Sequence, residues 1–418
     1  MVENILQRSI RYLLAAANHP ALLQGLLLLL CCSTVPAGAA RLAYENQTIT
    51  IDGDTWTLRV PAGLRLEALT TKLDKPRLMS FLPNGDLIIG SRSGKVYRLA
   101  PPYTQPKVLV KLADYPHSVA YRNGELFIAQ TDGLYRAPYK PGQRTLDRDD
   151  LERVAKLPGG RGHNSRTVGV GPDGRVYVAL GISGNCSNEY LDNSYRFDDR
   201  RGGVFVLDET GARPLLVPFA SGLRNPVGFA WHPDTGVLYA SNNGPDHLGY
   251  DLPPEYFSKL TAGSFHGMPW FQFNGTNIQR DTCMRRDPPR PLAEVVKPVA
   301  TFPARNAPMG VAFIPGGALG NRFTGNAVVA LRGSWGTRPR GSGSGDPATR
   351  RPPRLMMVHF DKGEAFSVAD FVSGFQRPNG TRLARPVGVA IGPDGALYFT
   401  SDSNTQGLFR LAPPANQQ

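Results

Sequence analysis

The sequence predicts an all-β protein, a six-bladed β-propeller whose blades are four-stranded antiparallel sheets with long loop insertions. One unit of the chain recurs six times after Gly63, and repeats of about four strands are the pattern of a propeller. The composition agrees with this, because Gly (46 residues) and Pro (37) are abundant and only 19% of residues are charged. Many short strands joined by tight turns have such a composition.

Each repeat consists of a leading segment that ends in Pro or Arg, an apolar strand, a turn of Pro, Asn, Asp or Gly, and a second apolar strand. These residue types favour reverse turns. The six copies begin at Pro76, Pro116, Ser165, Asn225, Pro308 and Arg385. Further strands that complete the units are predicted at residues 96–99, 133–136, 203–206, 355–358 and 407–410.

The uneven spacing of the repeats predicts two insertions, residues 245–306 and 332–354, mostly on one face of the propeller. Loops of this kind often carry the function of a rigid scaffold. The second insertion contains a Gly-Ser-Gly-Ser-Gly-Asp run among six arginines. We predict that it is a solvated, mobile loop.

The first forty residues differ from the rest. Arg8 and Arg11 precede an apolar run over residues 21–32, and Pro36 is followed by small residues typical of a cleavage site. We interpret residues 1–39 as a signal peptide and residues 40–418 as the propeller, which would be periplasmic or secreted. An uncleaved membrane anchor is the alternative. The apolar run is short for a span, so we expect no stable membrane span after processing.

Removal of this segment would also remove Cys31 and Cys32, leaving Cys186 and Cys283. In an oxidising compartment these two can form a disulfide, and two separate buried thiols are the alternative. The net charge of +13 permits an anionic cofactor, substrate or membrane surface. Because the charges are scattered and no nucleic-acid motif occurs, we expect no nucleic-acid partner.

Residues 221–251 predict a β-hairpin, with apolar strands over 227–231 and 237–241 around a Pro-Asp-Thr-Gly turn. The two open ends of a hairpin lie side by side. Arg224 and Asn225 should therefore lie beside Asn243, Gly244 and Pro245. A guanidinium, carboxamides and free main-chain carbonyls suit an anionic, oxygen-rich ligand together with a hard cation.

The leading segments of the inner strands should converge on one mouth of the central channel. We therefore expect His163, Arg224, Arg385 and His117 to point into one funnel, although they are far apart in sequence. A neutral imidazole there could act as a general base. An ordinary polar residue in the Gly-rich loop is the alternative for His163.

Four segments together resemble the glucose/sorbosone dehydrogenase family, and the sorbosone-type branch in particular: LPGGRGHNSRTVGVGPDGRVYVALG, SGLRNPVGFAWHP, SNNGPDHLGYDLPPEYFSKL and RPVGVAIGPDGALYFTSD. The resemblance runs from about Gly63 to Pro413. It implies a soluble six-bladed quinoprotein that uses pyrroloquinoline quinone (PQQ) and calcium. The implied reaction is oxidation of an aldose or a sugar-derived aldehyde, with the electrons passing to an external acceptor.

The resemblance also implies roles for individual residues. His163 would take the proton of the substrate hydroxyl. Arg224 and Asn225 would face the quinone oxygens, where a fixed guanidinium stabilises developing negative charge. The main-chain carbonyls of Gly244 and Pro245 would bind calcium.

Arg385 would pair with a PQQ carboxylate, but the sequence departs from the family pattern around it. Val387 stands where the family has a second arginine, and the family's cofactor lysine has no clean match. Arg332 or Arg354 could replace that lysine. Asp251 and Glu255 either retain a second, acidic calcium cluster or form a surface charge pair.

Two other functions remain open at the level of sequence. One is a calcium-dependent lactonase or esterase propeller, in which His163 would activate water. Such sites bind calcium through side-chain carboxylates and amides, whereas the funnel predicted here offers arginine and histidine. The other is a non-catalytic binding propeller whose cofactor site has decayed, and Val387 is the main argument for it.

Overall fold

The computed structural model of the protein describes residues 42–414, and within that range the regular structure is strands and four 3-10 turns. The predicted signal peptide, with Cys31 and Cys32, lies outside the described residues. No helix in the described part of the chain has the length and apolar character needed to cross a membrane.

The described chain begins with a hairpin that we did not predict, followed by one more strand: β1 (Tyr44–Ile51), β2 (Asp54–Pro61) and β3 (Arg65–Thr70). The hairpin is explained by alternation, because Trp56, Leu58 and Val60 are buried while the residues between them are exposed. Arg59 pairs through main-chain hydrogen bonds with Ser373, which directly follows the strand Glu364–Val372 at the outer edge of a propeller blade. The hairpin therefore packs on the outside of the propeller.

Six antiparallel sheets form the blades, which confirms the predicted fold. Blade 1 contains β4 (Pro76–Phe81), β5 (Leu87–Ser91), β6 (Lys95–Leu99) and β7 (Lys107–Lys111). Blade 2 contains β8 (Ser118–Arg122), β9 (Glu125–Ala129), β10 (Gly133–Pro138) and β11 (Glu152–Lys156). Blade 3 contains β12 (Arg166–Val170), β13 (Val176–Leu180), β14 (Gly203–Asp208) and β15 (Leu215–Ser221).

The second half of the ring has three more blades. Blade 4 contains β16 (Phe229–Trp231), β17 (Leu238–Asn242), β18 (Glu255–Leu260) and, after two short segments, β22 (Ala300–Phe302). Those segments are β19 (Ser264–Phe265), which adds a fifth, parallel strand to blade 3, and the hairpin of β20 (Phe271–Phe273) and β21 (Ile278–Arg280). Blade 5 contains β23 (Pro308–Phe313), β24 (Ala327–Leu331), β25 (Arg354–Asp361) and β26 (Glu364–Val372).

Blade 6 closes the ring with strands from both ends of the described chain. It contains β27 (Ala384–Ile391), β28 (Leu397–Asn404) and β29 (Gly407–Ala412), and β3 pairs antiparallel with β29. This pairing joins the two ends of the propeller within one sheet and so closes the ring. The innermost strands of all six blades surround a narrow central cavity of about 80 Å3.

Glycines of the repeat allow the innermost strands to approach one another. Gly228, Gly310 and Gly388 occupy the same place in three copies, directly after the residue that follows Pro. A Cβ at these positions would lie 2.1–2.6 Å from a main-chain carbonyl oxygen of the next blade. Ser118 replaces glycine at this place in blade 2, and its hydroxyl donates to the carbonyl of Arg166, 3.0 Å away. The repeat therefore sets the spacing between blades.

Apolar side chains of neighbouring blades interlock to form the core between them. Between blades 1 and 2, for example, Ile88 and Val96 pack with Leu126 and Ile128, and all four are fully buried. Burial on both faces explains why the inner strands are nearly continuous apolar runs.

The two predicted insertions are more ordered than the sequence suggested. Residues 245–306 are not wholly an insertion, because β18 and β22 within them are the third and fourth strands of blade 4. Residues 332–354 are solvated only in part: Ser334 and Thr337 are 1% exposed, whereas residues 338–340, 343 and 344 are exposed. Arg382 donates to the carbonyl of Ser334, and the Tyr250 hydroxyl donates to that of Thr349. These two bonds tie the segment to other parts of the chain, whereas the buried Nε atoms of Arg350 and Arg354 have no partner in the described residues.

Candidate functional site

A cavity of about 300 Å3 opens where the strands of five blades begin or end. This confirms that the leading segments converge on one mouth. The side chains and main chain that line it are those of Arg77, Arg92, Tyr115, Gly162, His163, Asn164, Ser165, Asn225, Val227, Asn243, Ala307, Met309 and Arg332. Three arginines and no carboxylate are among these described lining residues, so the cavity suits an anion.

His163 lies in this lining, in the loop that leads into β12. Its Nδ1 faces the carbonyl oxygen of Ile182, which can only accept, so Nδ1 carries the proton and Nε2 keeps its lone pair. Burial, and after it the charge of Arg224, lower the pKa of His163 to about 3. His163 is therefore a neutral imidazole with a fixed tautomer.

Two buried arginines hold the loop of His163 in place. Arg201 donates to the carbonyl oxygens of Gly181 (2.9 Å) and His163 (3.0 Å), and Arg166 donates to that of His163 (2.8 Å). Neither forms an ion pair with a carboxylate in the described part of the chain. Burial lowers the pKa of both. Neither role was predicted from the sequence, although Arg166 lies at the start of the third repeat.

Asn225 lines the cavity close to His163, and Gly181 explains how they come together. A Cβ on Gly181 would lie 2.6 Å from Oδ1 of Asn225, 2.8 Å from Cβ of His163 and 2.9 Å from the carbonyl oxygen of Arg224. Only glycine fits between these groups without moving them. Gly181 directly follows β13. The residues that require a glycine there belong to other segments, so the sequence around Gly181 does not reveal its role.

Arg224 lies beside His163 but is buried and is not one of the lining residues. Its Nη2 donates to Oδ1 of Asn185 (2.6 Å) and its Nη1 to the carbonyl of Asn243 (3.3 Å). Asp246 lies 3.6 Å from the guanidinium. Nε is buried and has no partner in the described part of the chain. The predicted hairpin is present, and it does bring Arg224 to the loop after β17.

Arg332 lines the cavity, and a buried carboxylate fixes it. Asp402 accepts hydrogen bonds from Nε of Arg332 (2.9 Å) and from Nη1 of Arg77 (2.6 Å). Burial raises the pKa of Asp402, but the two arginines outweigh burial and lower it. The side chain of Arg332 is 23% exposed and that of Asp402 is 1% exposed. Asp402 thus aligns two arginines of different blades at the cavity.

The sequence analysis did not identify Arg77, Arg92 or Tyr115. The guanidinium of Arg92 lies 5.8 Å from the centre of the Tyr115 ring, and that of Arg77 lies 6.0 Å from it. A comparison of equivalent repeat positions could have found Arg77, because it directly follows Pro76 as His117 follows Pro116. Arg92 follows β5 and carries no comparable signal.

Besides Arg224, three more predicted residues do not line the cavity. His117 is fully buried beneath it, with Nδ1 2.9 Å from the carbonyl of Arg166 and burial lowering its pKa well below the ordinary value. Arg385 donates to the carbonyls of Arg332 (2.9 Å) and Gly333 (2.7 Å), so it supports the end of β24. Arg354 pairs with Asp370 of the outer strand, 2.7 Å away. Of the two proposed lysine replacements, only Arg332 reaches the cavity.

Gly244 and Pro245 form the turn that follows β17. Neither carbonyl oxygen accepts a hydrogen bond from another group in the described range, so both could bind a cation. The N–H of Gly244 donates to Oε2 of Glu255, and Oε1 of Glu255 accepts from the N–H of Ala307 (3.2 Å). Burial raises the pKa of Glu255 to about 7. The buried carboxylate of Glu255 therefore connects the turn to Ala307 through two main-chain hydrogen bonds.

Asp251 does not form an acidic cluster with Glu255. Its side chain is 67% exposed and pairs with Arg351 at 2.6 Å. Glu255 by contrast is buried, so the two carboxylates lie in different surroundings. Cys186 and Cys283 form a disulfide, which confirms the paired alternative for the two cysteines.

Comparison with known proteins identifies related sequences. Residues 58–254 match the model of the TrAA12-like family. The chain is 25% identical over 371 residues to an uncharacterised protein of Borreliella burgdorferi, covering 85% of this chain and 91% of that protein. It is 23% identical over 231 residues to quinoprotein glucose dehydrogenase B of Acinetobacter calcoaceticus, covering 43% of this chain and 48% of that protein.

Solved structures share the fold. A carbohydrate-active enzyme of family AA12 from Trichoderma reesei, solved with iodide, superposes with a TM-score of 0.71 at 18% identity, covering 90% of this chain and 99% of its own. The holo form of the PQQ domain of pyranose dehydrogenase from Coprinopsis cinerea gives 0.66 at 19% identity, covering 85% and 97%. These comparisons confirm the resemblance to the soluble PQQ sugar dehydrogenases that the sequence motifs indicated.

Proposed function

We propose that this protein is a dehydrogenase that oxidises an aldose or a sugar-derived aldehyde of the sorbosone type with PQQ and calcium, and passes the electrons to an external acceptor. The observation that carries the proposal is a neutral imidazole with a fixed tautomer beside Asn225, in a cavity lined by three arginines. The related PQQ and AA12 proteins support the same class of reaction.

The residues present fit PQQ, which carries several carboxylates. Arg77, Arg92 and Arg332 would bind these groups, because charge-assisted hydrogen bonds from guanidinium groups match carboxylate geometry. The buried Nε of Arg77 has no partner in the described part of the chain and so remains available. The family's second arginine is replaced here by Val387, which is fully buried. Arg77, from another blade, would supply a positive charge in its place.

The turn at Gly244 and Pro245 fits calcium for a separate reason. Its two carbonyl oxygens are free of hydrogen bonds among the described groups, and hard cations prefer oxygen ligands. Glu255 would hold the turn in shape through the N–H of Gly244. A relative of family AA12 has been solved with calcium, which supports the choice of ion.

In the proposed reaction Nε2 of His163 takes the proton of the substrate hydroxyl. PQQ, when bound, would supply the acceptor for the hydride that leaves the same substrate carbon. The surrounding cations Arg224, Arg201 and Arg166 disfavour a resident proton on His163, so Nε2 is vacant when the substrate arrives. Asn225 and the charge of Arg224 would stabilise negative charge that develops opposite the base.

The lactonase alternative is less well supported, because no carboxylate lines the described cavity and such sites bind calcium through acidic side chains. We also propose that residues 1–39 are a signal peptide and that the mature protein is periplasmic or secreted. N-terminal sequencing of the protein recovered from outside the cytoplasm tests this. A mature chain that still begins at Met1 would contradict it.

Replacement of the base provides the main test of the proposed function. His163→Ala should lower the rate of dye reduction by a factor of about 100 to 10,000, while PQQ absorbance titrations give nearly the wild-type affinity. His359→Ala, the same change at a buried histidine of β25, is the matched control. A His163→Ala rate within twofold of wild type would exclude His163 as the base. Failure of the wild type to bind PQQ would leave the non-catalytic propeller as the better hypothesis.

A further inference from the structure

Asn185 joins the two ends of the β16–β17 hairpin through one oxygen atom. Its Oδ1 accepts a hydrogen bond from Nη2 of Arg224 (2.6 Å) and another from the main-chain N–H of Asp246 (3.0 Å). Arg224 precedes β16 and Asp246 follows the Gly244–Pro245 turn. Asn185 therefore connects the guanidinium to the residue after the turn, in addition to the direct hydrogen bond from Arg224 to the carbonyl of Asn243.

The loop that carries Asn185 is tied down by the disulfide at the next residue. Cys186 is bonded to Cys283, 97 residues away. The N–H of Cys283 donates to Oδ1 of Asp281 (2.9 Å), a fully buried carboxylate that also accepts from Nε2 of His247 (3.0 Å). Since His247 directly follows Asp246, the disulfide anchors the loop on the segment that Asn185 contacts.

Other contacts of this loop are internal. The N–H of Ser183 donates to Glu189, and that of Gly184 donates to Oγ of Ser187 (3.0 Å). Among the described hydrogen bonds, only Asn185 and the weak contact of Cys186 with His247 (3.8 Å) connect residues 183–187 to residues 243–249. Loss of the disulfide would leave only Asn185 and this weak contact to hold the two segments together.

We propose that Asn185 is the positioning residue for Arg224 and the Gly244–Pro245 turn, and that the Cys186–Cys283 disulfide makes this positioning dependent on redox state. A dithiol reductant would transfer two electrons and two protons to the disulfide, giving two free thiols and its own disulfide. The loop would then release Arg224 and the turn together. The catalytic consequence rests on the proposed function, whereas the structural consequence does not.

Hydrogen exchange of the cofactor-free protein tests the structural part. The Asp246 N–H should exchange at least about tenfold faster in Asn185→Ala, in the double variant Cys186→Ser/Cys283→Ser and in the wild type reduced with dithiothreitol. Asn185→Asp retains an acceptor oxygen and should restore protection. The Tyr139 N–H, which donates to the carbonyl of Gly124 in blade 2 (2.7 Å), is an internal reference remote from this loop. Asn193→Ala, in the same loop, is the matched control.

Activity tests the catalytic part. Residues that orient a group of the active site typically contribute about 10- to 100-fold to activity. Asn185→Ala should therefore lower kcat by that factor, and Asn185→Asp should retain most of the wild-type kcat. Reduction should lower the wild-type kcat but leave that of the double cysteine variant unchanged. Unaltered Asp246 exchange in Asn185→Ala and after reduction would overturn the proposal. Altered exchange in a protein that shows no dye reduction would instead count against the proposed function alone.

Discussion

Gly181→Ala gives a direct test of how closely the site is packed. The new methyl group would lie 2.6 Å from Oδ1 of Asn225, 2.8 Å from Cβ of His163 and 2.9 Å from the carbonyl of Arg224. All three distances are below the 3.0 Å that real contacts of a Cβ essentially always keep. The clash involves main chain as well as side chains, so rotation of one side chain cannot relieve it.

The expected cost follows from these distances. The methyl group must displace the His163 loop or the Arg224–Asn225 segment by several tenths of an ångström, and a 1 Å misplacement of catalytic groups can cost about 100-fold in rate. We expect a loss of about ten- to hundredfold in dye reduction. Overpacking of this kind destabilises a fold by about 1–3 kcal/mol, which a protein of this size can tolerate.

The assay compares the dye-reduction rate, PQQ affinity and Tm of Gly181→Ala with those of Gly184→Ala. Gly184 lies three residues further on, and a Cβ there would meet only Oγ of Ser187 at an ordinary 3.7 Å. The control should therefore behave as wild type. If Gly181→Ala retains the wild-type rate within twofold at an unchanged Tm, the close approach of His163 and Asn225 does not determine activity.

Three further predictions follow from charge. Because the pKa of His163 is about 3, the stopped-flow reduction rate should not fall near pH 6.5, and NMR should find the ring neutral at pH 5. Between about pH 6.5 and pH 3 only the unfolded chain binds a proton at this residue. The free energy of unfolding should therefore decrease as the pH falls through that range. Asp402→Asn leaves Arg77 and Arg332 without their buried counter-charge and should lower the free energy of unfolding, measured in urea, by about 3–5 kcal/mol. The control Glu364→Gln breaks an exposed ion pair and should lower it little. A calcium chelator should lower both Tm and the rate, since an ion present at a hundred times its Kd stabilises by about 2.7 kcal/mol; an unchanged Tm would argue against the ion.

The sequence by itself determined the features that depend on neighbouring residues. Turn residues between short, nearly continuous apolar runs specify each strand pair, and six copies of the pair specify six blades. Hairpin geometry alone placed Arg224 beside the Gly244–Pro245 turn, because the two ends of a hairpin must meet. Glycine in the repeat also reflects a fixed requirement, the close approach of the next blade.

The tertiary structure decided which polar side chains face the cavity and which serve as supports. The sequence suggested a cofactor contact for both Arg332 and Arg385, but Arg332 lines the cavity while Arg385 donates to main-chain carbonyls. Asp402, Asn185 and Gly181 act on residues of other blades or other loops. Such contacts join segments far apart in the chain, and their strength depends on burial and on the exact partner within about 3 Å. Local sequence patterns reveal neither the burial of a polar side chain nor its partner, so only the folded structure could assign these roles.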